Sequence, residues 1–184
     1  MAMKGSFRLA WVLASGLAWA CLGCASGARQ SVPPLQVVPN VDLSRYTGTW
    51  YEIASFPQRF QKGCVATCAT YTLLPDGKIE VFNQCRKGSF DGKVSSIRGK
   101  AWVVDATTNA KLKVSFYWPF SGDYWIIDLG ADYEYAVVGH PGRKYLWILS
   151  RTPEMDEALY NRLLEKLQGR FYDTSKLVKT PQMR

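Results

Sequence analysis

Eight short stretches rich in β-branched and aromatic residues follow one another along this chain, and the brevity of the links between them limits its fold more than any other feature. They lie near Trp50–Ala54, Val65–Leu73, Lys78–Asn83, Ser96–Val104, Lys111–Tyr117, Tyr124–Leu129, Tyr135–Gly139 and Tyr145–Leu149. Turn-forming clusters separate them, among them Leu74-Pro75-Asp76-Gly77, Phe90-Asp91-Gly92, Thr107-Thr108-Asn109, Pro119-Phe120-Ser121-Gly122 and His140-Pro141-Gly142. A parallel pairing needs a crossover of a dozen or more residues, so links this short make each strand antiparallel to the one before it. One segment has helical period: Thr152 as N-cap, Pro153 in the first turn, Met155, Leu159, Leu163 and Leu167 on one face, and Gly169 at the close. The expectation is all-β: an eight-stranded antiparallel up-and-down β-barrel with one C-terminal α-helix packed outside. Closure removes the exposed edges that such a meander would otherwise present, and a barrel of eight strands has room for one small ligand.

Composition narrows the function. A chain of 184 residues that is 47% hydrophobic and 21% charged is globular and suits one folded domain. A domain of this size buries roughly two thirds of the surface its unfolded chain exposes, so it needs no metal or disulfide merely to fold. Lys and Arg outnumber acids 23 to 15, for a net charge of +8, but they are dispersed along the chain without the clustered run of a nucleic-acid arm. No nucleic acid is expected as a partner; attraction to anionic lipid surfaces is the natural consequence of such an excess. The single His excludes most His-based metal sites and triads. His140 sits in a His-Pro-Gly turn without a second ligand at metal spacing and reads as a solvated loop residue. Ser150 lacks the Gly-x-Ser-x-Gly setting of a nucleophile elbow, and Glu52 has no acidic partner for acid–base work. No enzyme, cofactor or metal is expected.

The N-terminus reads as an address. Lys4 and Arg8 form a positive n-region, and the uncharged run that follows ends in small residues just before Cys24, so residues 1–23 read as an export signal, too short for a stable membrane span. Leu22-Gly23-Cys24-Ala25-Ser26 resembles a bacterial lipobox, although Cys21 stands where such motifs usually carry Leu or Val. That resemblance implies acylation of Cys24, a lipid-anchored mature protein and, with Ala25 rather than Asp beside the anchor, the outer membrane, facing the periplasm. Ordinary cleavage after Ala18-Trp19-Ala20 is the alternative. Residues 24–40 are polar or punctuated by Pro33, Pro34 and Pro39 and read as an extended tether; residues 41–184 form the domain.

Strand parity then assigns faces. With Pro75-Asp76-Gly77 as a three-residue hairpin loop, Leu74 pairs with Lys78, Tyr71 faces Val81, Ala69 faces Asn83 and Thr67 faces Cys85. Cys68 points the other way, so a Cys68–Cys85 bridge is disfavoured. Cys64, placed just before the strand, is free of that register, and Cys64–Cys85 is the expected disulfide, with Cys68 a free thiol. Leu112, Val114 and Phe116 alternate with Lys111, Lys113 and Ser115 and face inward, as do Gly99, Ala101 and Val103. Taking Asp128 as outward sends Trp125, Ile127 and Leu129 inward.

Gly48-Thr49-Trp50-Tyr51-Glu52, Ala131-Asp132-Tyr133 and Leu149-Ser150-Arg151-Thr152-Pro153 resemble, in order and spacing, the three signature regions of the lipocalins, nearest to those of bacterial outer membranes and their apolipoprotein D-like relatives. The resemblance covers roughly residues 41 to 180 and departs at Ala131, where Thr is usual. It implies that Arg151 lies across the ring of Trp50 at the closed end as a structural pair. It also implies that Tyr71, Asn83, Phe116 and Trp125 line a ligand pocket, to which parity adds Val81, Leu112, Val114 and Ile127. The ligand implied is a small hydrophobic molecule, a fatty acid or lysophospholipid, stored or carried in the envelope, and a homodimer is compatible with it. The competing expectations are an isomerase-like enzyme on the same fold and a structural envelope protein with a filled barrel that uses exposed Trp102 and Trp118.

Overall fold

The computed structural model describes residues 32–183. The export signal, Cys24 and the first part of the tether lie outside the described residues.

Eight strands close on themselves: β1 (Gly48–Ser55), β2 (Cys64–Leu73), β3 (Ile79–Lys87), β4 (Val94–Val103), β5 (Lys111–Tyr117), β6 (Phe120–Leu129), β7 (Tyr135–Gly139) and β8 (Leu146–Ser150). Each pairs antiparallel with its neighbour in sequence, and β1 pairs with both β2 and β8, which completes the ring. A two-residue strand, β9 (Val178–Lys179), adds to Ala54 and Ser55 of β1. A single helical turn, α1 (Leu43–Tyr46), capped by the Asp42 carboxylate, precedes the barrel, and α2 (Glu157–Gly169) follows it.

Alternation divides the apolar residues into two clusters. One fills the closed half of the barrel around Trp50, Tyr71, Leu112 and Ile126. The other lies outside, where Leu163, Leu167 and Tyr160 of α2 cover Val137, Ile148 and Ala54. The helix starts one turn later than Thr152 and Pro153 suggest. Asp156 is its N-cap, accepting from the Leu159 N–H at 2.9 Å, while the Thr152 hydroxyl is spent on the Glu154 carbonyl.

The described part of the tether is not free. Leu35 is buried and Val37 and Val38 are half-buried against the barrel. The Val41 N–H donates to Thr108, the Val38 N–H to Ile126, and Arg143 donates to the Pro33 carbonyl, so this segment climbs the outer wall from one end to the other.

The hairpin register follows the Pro-Asp-Gly loop as expected from Leu73 to Cys68, with Tyr71 opposite Val81 and Ala69 opposite Asn83. Beyond Cys68 a bulge intervenes. Ala66 adopts φ +49°, its N–H bonds to the Pro181 carbonyl, and Ala66 and Thr67 together oppose Cys85. Cys64 is thus the first residue of β2 rather than outside it, sits diagonally across from Cys85, and forms the disulfide with it at a Cα–Cα distance of 5.5 Å. Cys68 is a free thiol, which burial makes less acidic than an ordinary cysteine.

Candidate functional site

Because the strands alternate in direction, the β1–β2, β3–β4, β5–β6 and β7–β8 connections gather at one end of the barrel, and α1 with the remaining connections closes the other. A cavity of about 540 Å³ runs between them and opens among the first set. The barrel is hollow, which sets aside the filled-core alternative.

The closed end is built on Trp50, fully buried, with its indole N–H donating to the Tyr46 carbonyl at 2.9 Å. Arg151 covers it, the guanidinium carbon 3.8 Å from the ring centroid, and donates to the Arg45, Thr49 and Tyr133 carbonyls at 2.7, 3.1 and 3.2 Å. Gly48 leaves space for this. It has φ +93°, and a Cβ there would sit 3.2 Å from an Arg151 nitrogen.

Above this plug lie three phenols. The Tyr124 hydroxyl is 2.8 Å from that of Tyr46 and 3.0 Å from that of Tyr71. Two contacts consume two of the three hydroxyl protons, which leaves one donor uncommitted within the trio. Burial, the dominant cause, pushes Tyr71 up to about 12 and Tyr46 and Tyr124 well above their ordinary value, so all three stay protonated at neutral pH.

The walls are apolar: Ile79 and Val81 of β3, Ala101 of β4, and Leu112, Val114 and Phe116 of β5. Gly99 lets Phe116 lie against β4, since a Cβ there would fall 2.7 Å from the ring. Polar atoms interrupt one side. Asn83 Oδ1, Gln61 Oε1, Thr67 Oγ1 and both amide atoms of Gln58 are buried without a hydrogen-bond partner. A second void of about 60 Å³ shares Gln61, Tyr71 and Asn83 with the main cavity and reaches Glu52 and Thr67. The Glu52 carboxylate accepts from Ser55, Gln61 and Thr180 at 3.0, 2.9 and 2.6 Å, so it is held by neutral donors alone.

Of the residues expected here, Tyr71, Val81, Asn83, Leu112, Val114 and Phe116 line the cavity. Trp125 and Ile127 do not. Tyr124 faces inward opposite Leu112, and Trp125 lies on the outer face opposite Lys111, whose ammonium is 5.0 Å from its ring. The inference from Asp128 fails because β6 bulges: Trp125 and Ile126 pair with Gly139 and Val138, Asp128 with Val137, and Ile127 is the extra residue. Ile127 and Asp128 therefore both point outward, the first into the helix-side cluster and the second toward Lys166 at 3.1 Å; Leu129 returns to the inner cluster. His140 is also less solvated than its turn suggests. Its Nδ1 accepts from the Gly142 N–H at 2.9 Å, and its ring stands edge-on to Tyr145 at the mouth. Gln58 and Gln61, on the β1–β2 connection, carried no pattern in the sequence that pointed to them. Among the described residues no group of three or more His, Cys, Asp or Glu side chains is placed to hold a metal ion.

A family model for the lipocalin-like domain matches residues 41–182. The chain is a lipocalin. It is 49% identical over 157 residues to temperature-induced lipocalin-1 of Arabidopsis thaliana, covering 80% of this chain and 83% of that one. It is 40% identical over 169 residues to outer membrane lipoprotein Blc of Escherichia coli K12, covering 91% and 93%, and 38% identical over 160 residues to apolipoprotein D of Macaca fascicularis, covering 82% and 80%. Among solved structures, insecticyanin from the tobacco hornworm Manduca sexta superposes with a TM-score of 0.68 at 21% identity, covering 83% of this chain and 86% of that one, which establishes the lipocalin fold. In this lipocalin the three sequence signatures converge on the closed end: Trp50 from the first, Tyr133 from the second and Arg151 from the third are in mutual contact through the Arg151 guanidinium.

Proposed function

We propose that this lipocalin binds an amphiphile with one long apolar chain, a fatty acid or lysophospholipid, and stores or carries it in the cell envelope. The observation that carries this reading is the open cavity itself. Its volume of about 540 Å³ falls within the usual range for small-molecule sites, its walls are apolar, and a few polar atoms stand unpaired along one side. Each buried methylene contributes about 0.8 kcal/mol, so a chain of roughly sixteen carbons gains on the order of 12 kcal/mol before association and ordering costs. Asn83, Gln58 and Gln61 supply hydrogen-bond partners for a head group, and the floor tyrosines supply one proton. No acid–base pair or metal enters this role, which is binding rather than catalysis.

The envelope assignment rests on the N-terminal pattern and on the relatives called outer membrane lipoproteins. In this reading residues 1–23 are removed, Cys24 carries the lipid anchor, and the domain faces the periplasm. Among the described residues no helix is long and apolar enough to cross a membrane.

The test is a titration with a fluorescent long-chain fatty acid. Val114→Trp places bulk in the cavity from a half-buried wall position and should weaken binding by about tenfold or more, the equivalent of 1.4 kcal/mol, with little change in melting temperature. Unchanged affinity in the folded variant overturns the cavity as the binding site. Native mass spectrometry of protein purified from its own envelope then identifies the bound lipid.

A further inference from the structure

We propose that the open end of the barrel is a docking face for an anionic lipid bilayer, with Trp118 seated in the interface so that a lipid passes between leaflet and cavity without crossing water. Three independent observations meet at this end.

The first is aromatic exposure. Tyr117, Trp118 and Phe120, at the β5–β6 turn, are 71%, 84% and 76% exposed, and Phe60 on the β1–β2 connection is 70% exposed. Tyr117, Phe120 and Phe60 border the cavity mouth, while Trp118 stands at the tip beyond it. Large rings presented to solvent around an apolar opening cost free energy in water, and tryptophan and tyrosine, with an apolar body and a polar tip, suit the head-group layer of a bilayer.

The second is charge. The connections at the mouth carry Arg59, Lys62, Lys93, Arg143 and Lys144 against Asp91 alone. The strand connections and α1 at the closed end, with Arg151 against Trp50, carry Asp42, Asp76, Asp105, Asp132 and Glu134 against Arg45, Lys78 and Arg151. The basic end is therefore the aromatic end. Basic residues near an anionic leaflet are attracted to it, so the field orients the molecule with its mouth toward such a surface. A protein partner for the rings would not by itself explain why the cations gather around them.

The third is where the chain leaves the domain. From Val41 at the closed end the N-terminal segment rises along the wall to Pro33, whose carbonyl accepts from Arg143 of the β7–β8 connection at 2.8 Å. Pro33 is thus beside the mouth. Cys24 precedes it by nine residues, a reach of at most about 30 Å. If the anchor reading above holds, the tether leaves from the same face that carries the rings; the first two observations do not depend on it.

The experiment uses protein purified from its envelope and vesicles of phosphatidylglycerol with phosphatidylcholine, compared with phosphatidylcholine alone. With brominated acyl chains as quenchers, the wild-type protein should lose tryptophan fluorescence on the anionic vesicles, Trp118→Phe should abolish that loss, and Lys144→Glu should weaken it. Raising salt until the Debye length falls from about 10 Å to about 3 Å should weaken it as well. Transfer of a fluorescent fatty acid from vesicle to protein, which does rest on the ligand reading, should slow about tenfold in Trp118→Ser, with its affinity in solution unchanged. Quenching that persists in Trp118→Phe, or is equal on neutral vesicles, overturns the proposal. So does sedimentation showing that Trp118 is buried between two copies of the chain. Failure of fatty-acid binding with Trp118 quenching intact removes the ligand reading and leaves the docking face.

Discussion

Three phenol hydroxyls on the cavity floor set an alkaline limit on the fold. Tyr71 keeps its proton up to about 12 in the native barrel because burial disfavours the phenolate, whereas an unfolded tyrosine ionises near 10. Between those values the unfolded chain binds fewer protons than the native one, so stability falls as pH rises. The stabilisation is complete below pH 10 and lost as pH passes about 12. Tyr46 and Tyr124 are displaced in the same direction and steepen the loss. Thermal melts across this window should decline, and the phenolate absorbance of these tyrosines should appear together with unfolding. A full complement of tyrosines titrating near 10 in a still-folded protein would disprove the buried trio. Arg151 shows a different kind of economy: one guanidinium covers Trp50 and donates to three backbone carbonyls, which a lysine with its single ammonium cannot do in the same geometry.

At the scale of elements, the bulge in β6 decides which aromatic side chain meets a guest. Trp125→Glu should fold with little loss of stability, since its ring is half-exposed beside Lys111 on the outer face, and fatty-acid affinity should match wild type. Weakened binding in that variant would return Trp125 to the site. The sequence allowed β5 to be assigned correctly because three lysine, lysine and serine positions alternate with Leu112, Val114 and Phe116 without interruption. It did not allow β6, because Trp125, Ile126 and Ile127 are apolar on both faces and Asp128 is the one residue that marks a parity; that anchor lies beyond the extra residue. The same limit recurs in β2. Its hairpin register was legible from the Pro-Asp-Gly turn, but the bulge at Ala66 depends on a hydrogen bond to Pro181, more than a hundred residues away. The start of α2 was missed because Thr152-Pro153 and Asp156-Glu157 are both competent caps, and the choice between them follows from the Glu154 carbonyl that Thr152 serves. Gln58 and Gln61 left no periodic trace because they belong to a connection, where side-chain direction has no period to follow.

For the molecule as a whole, the fold class was legible because hairpin-length links leave few topologies, and the signature triplets marked the closed end. The distribution of charge between the two ends was not, because it follows from which loops the alternation of strand direction brings together. The described residues hold the cavity and its supports, so the anchor should be separable from the barrel: Cys24→Ala should shift the protein out of the membrane pellet without altering its melting temperature or its affinity for a fatty acid. Retention in the pellet would count against acylation at Cys24. The pairing of β1 with β8 also governs how the chain reaches this state. Every other strand pair of the barrel joins segments adjacent in sequence and can zip from a turn, but Tyr51 must find Ser150 across about a hundred residues. That search is the entropic bottleneck of folding and places the barrel among slow, high-contact-order folders, on the millisecond-to-second scale. Arg151 follows Ser150 directly, so the event that zips the last ladder also lowers the guanidinium onto Trp50, and the final step of assembly is the one that seals the floor of the cavity.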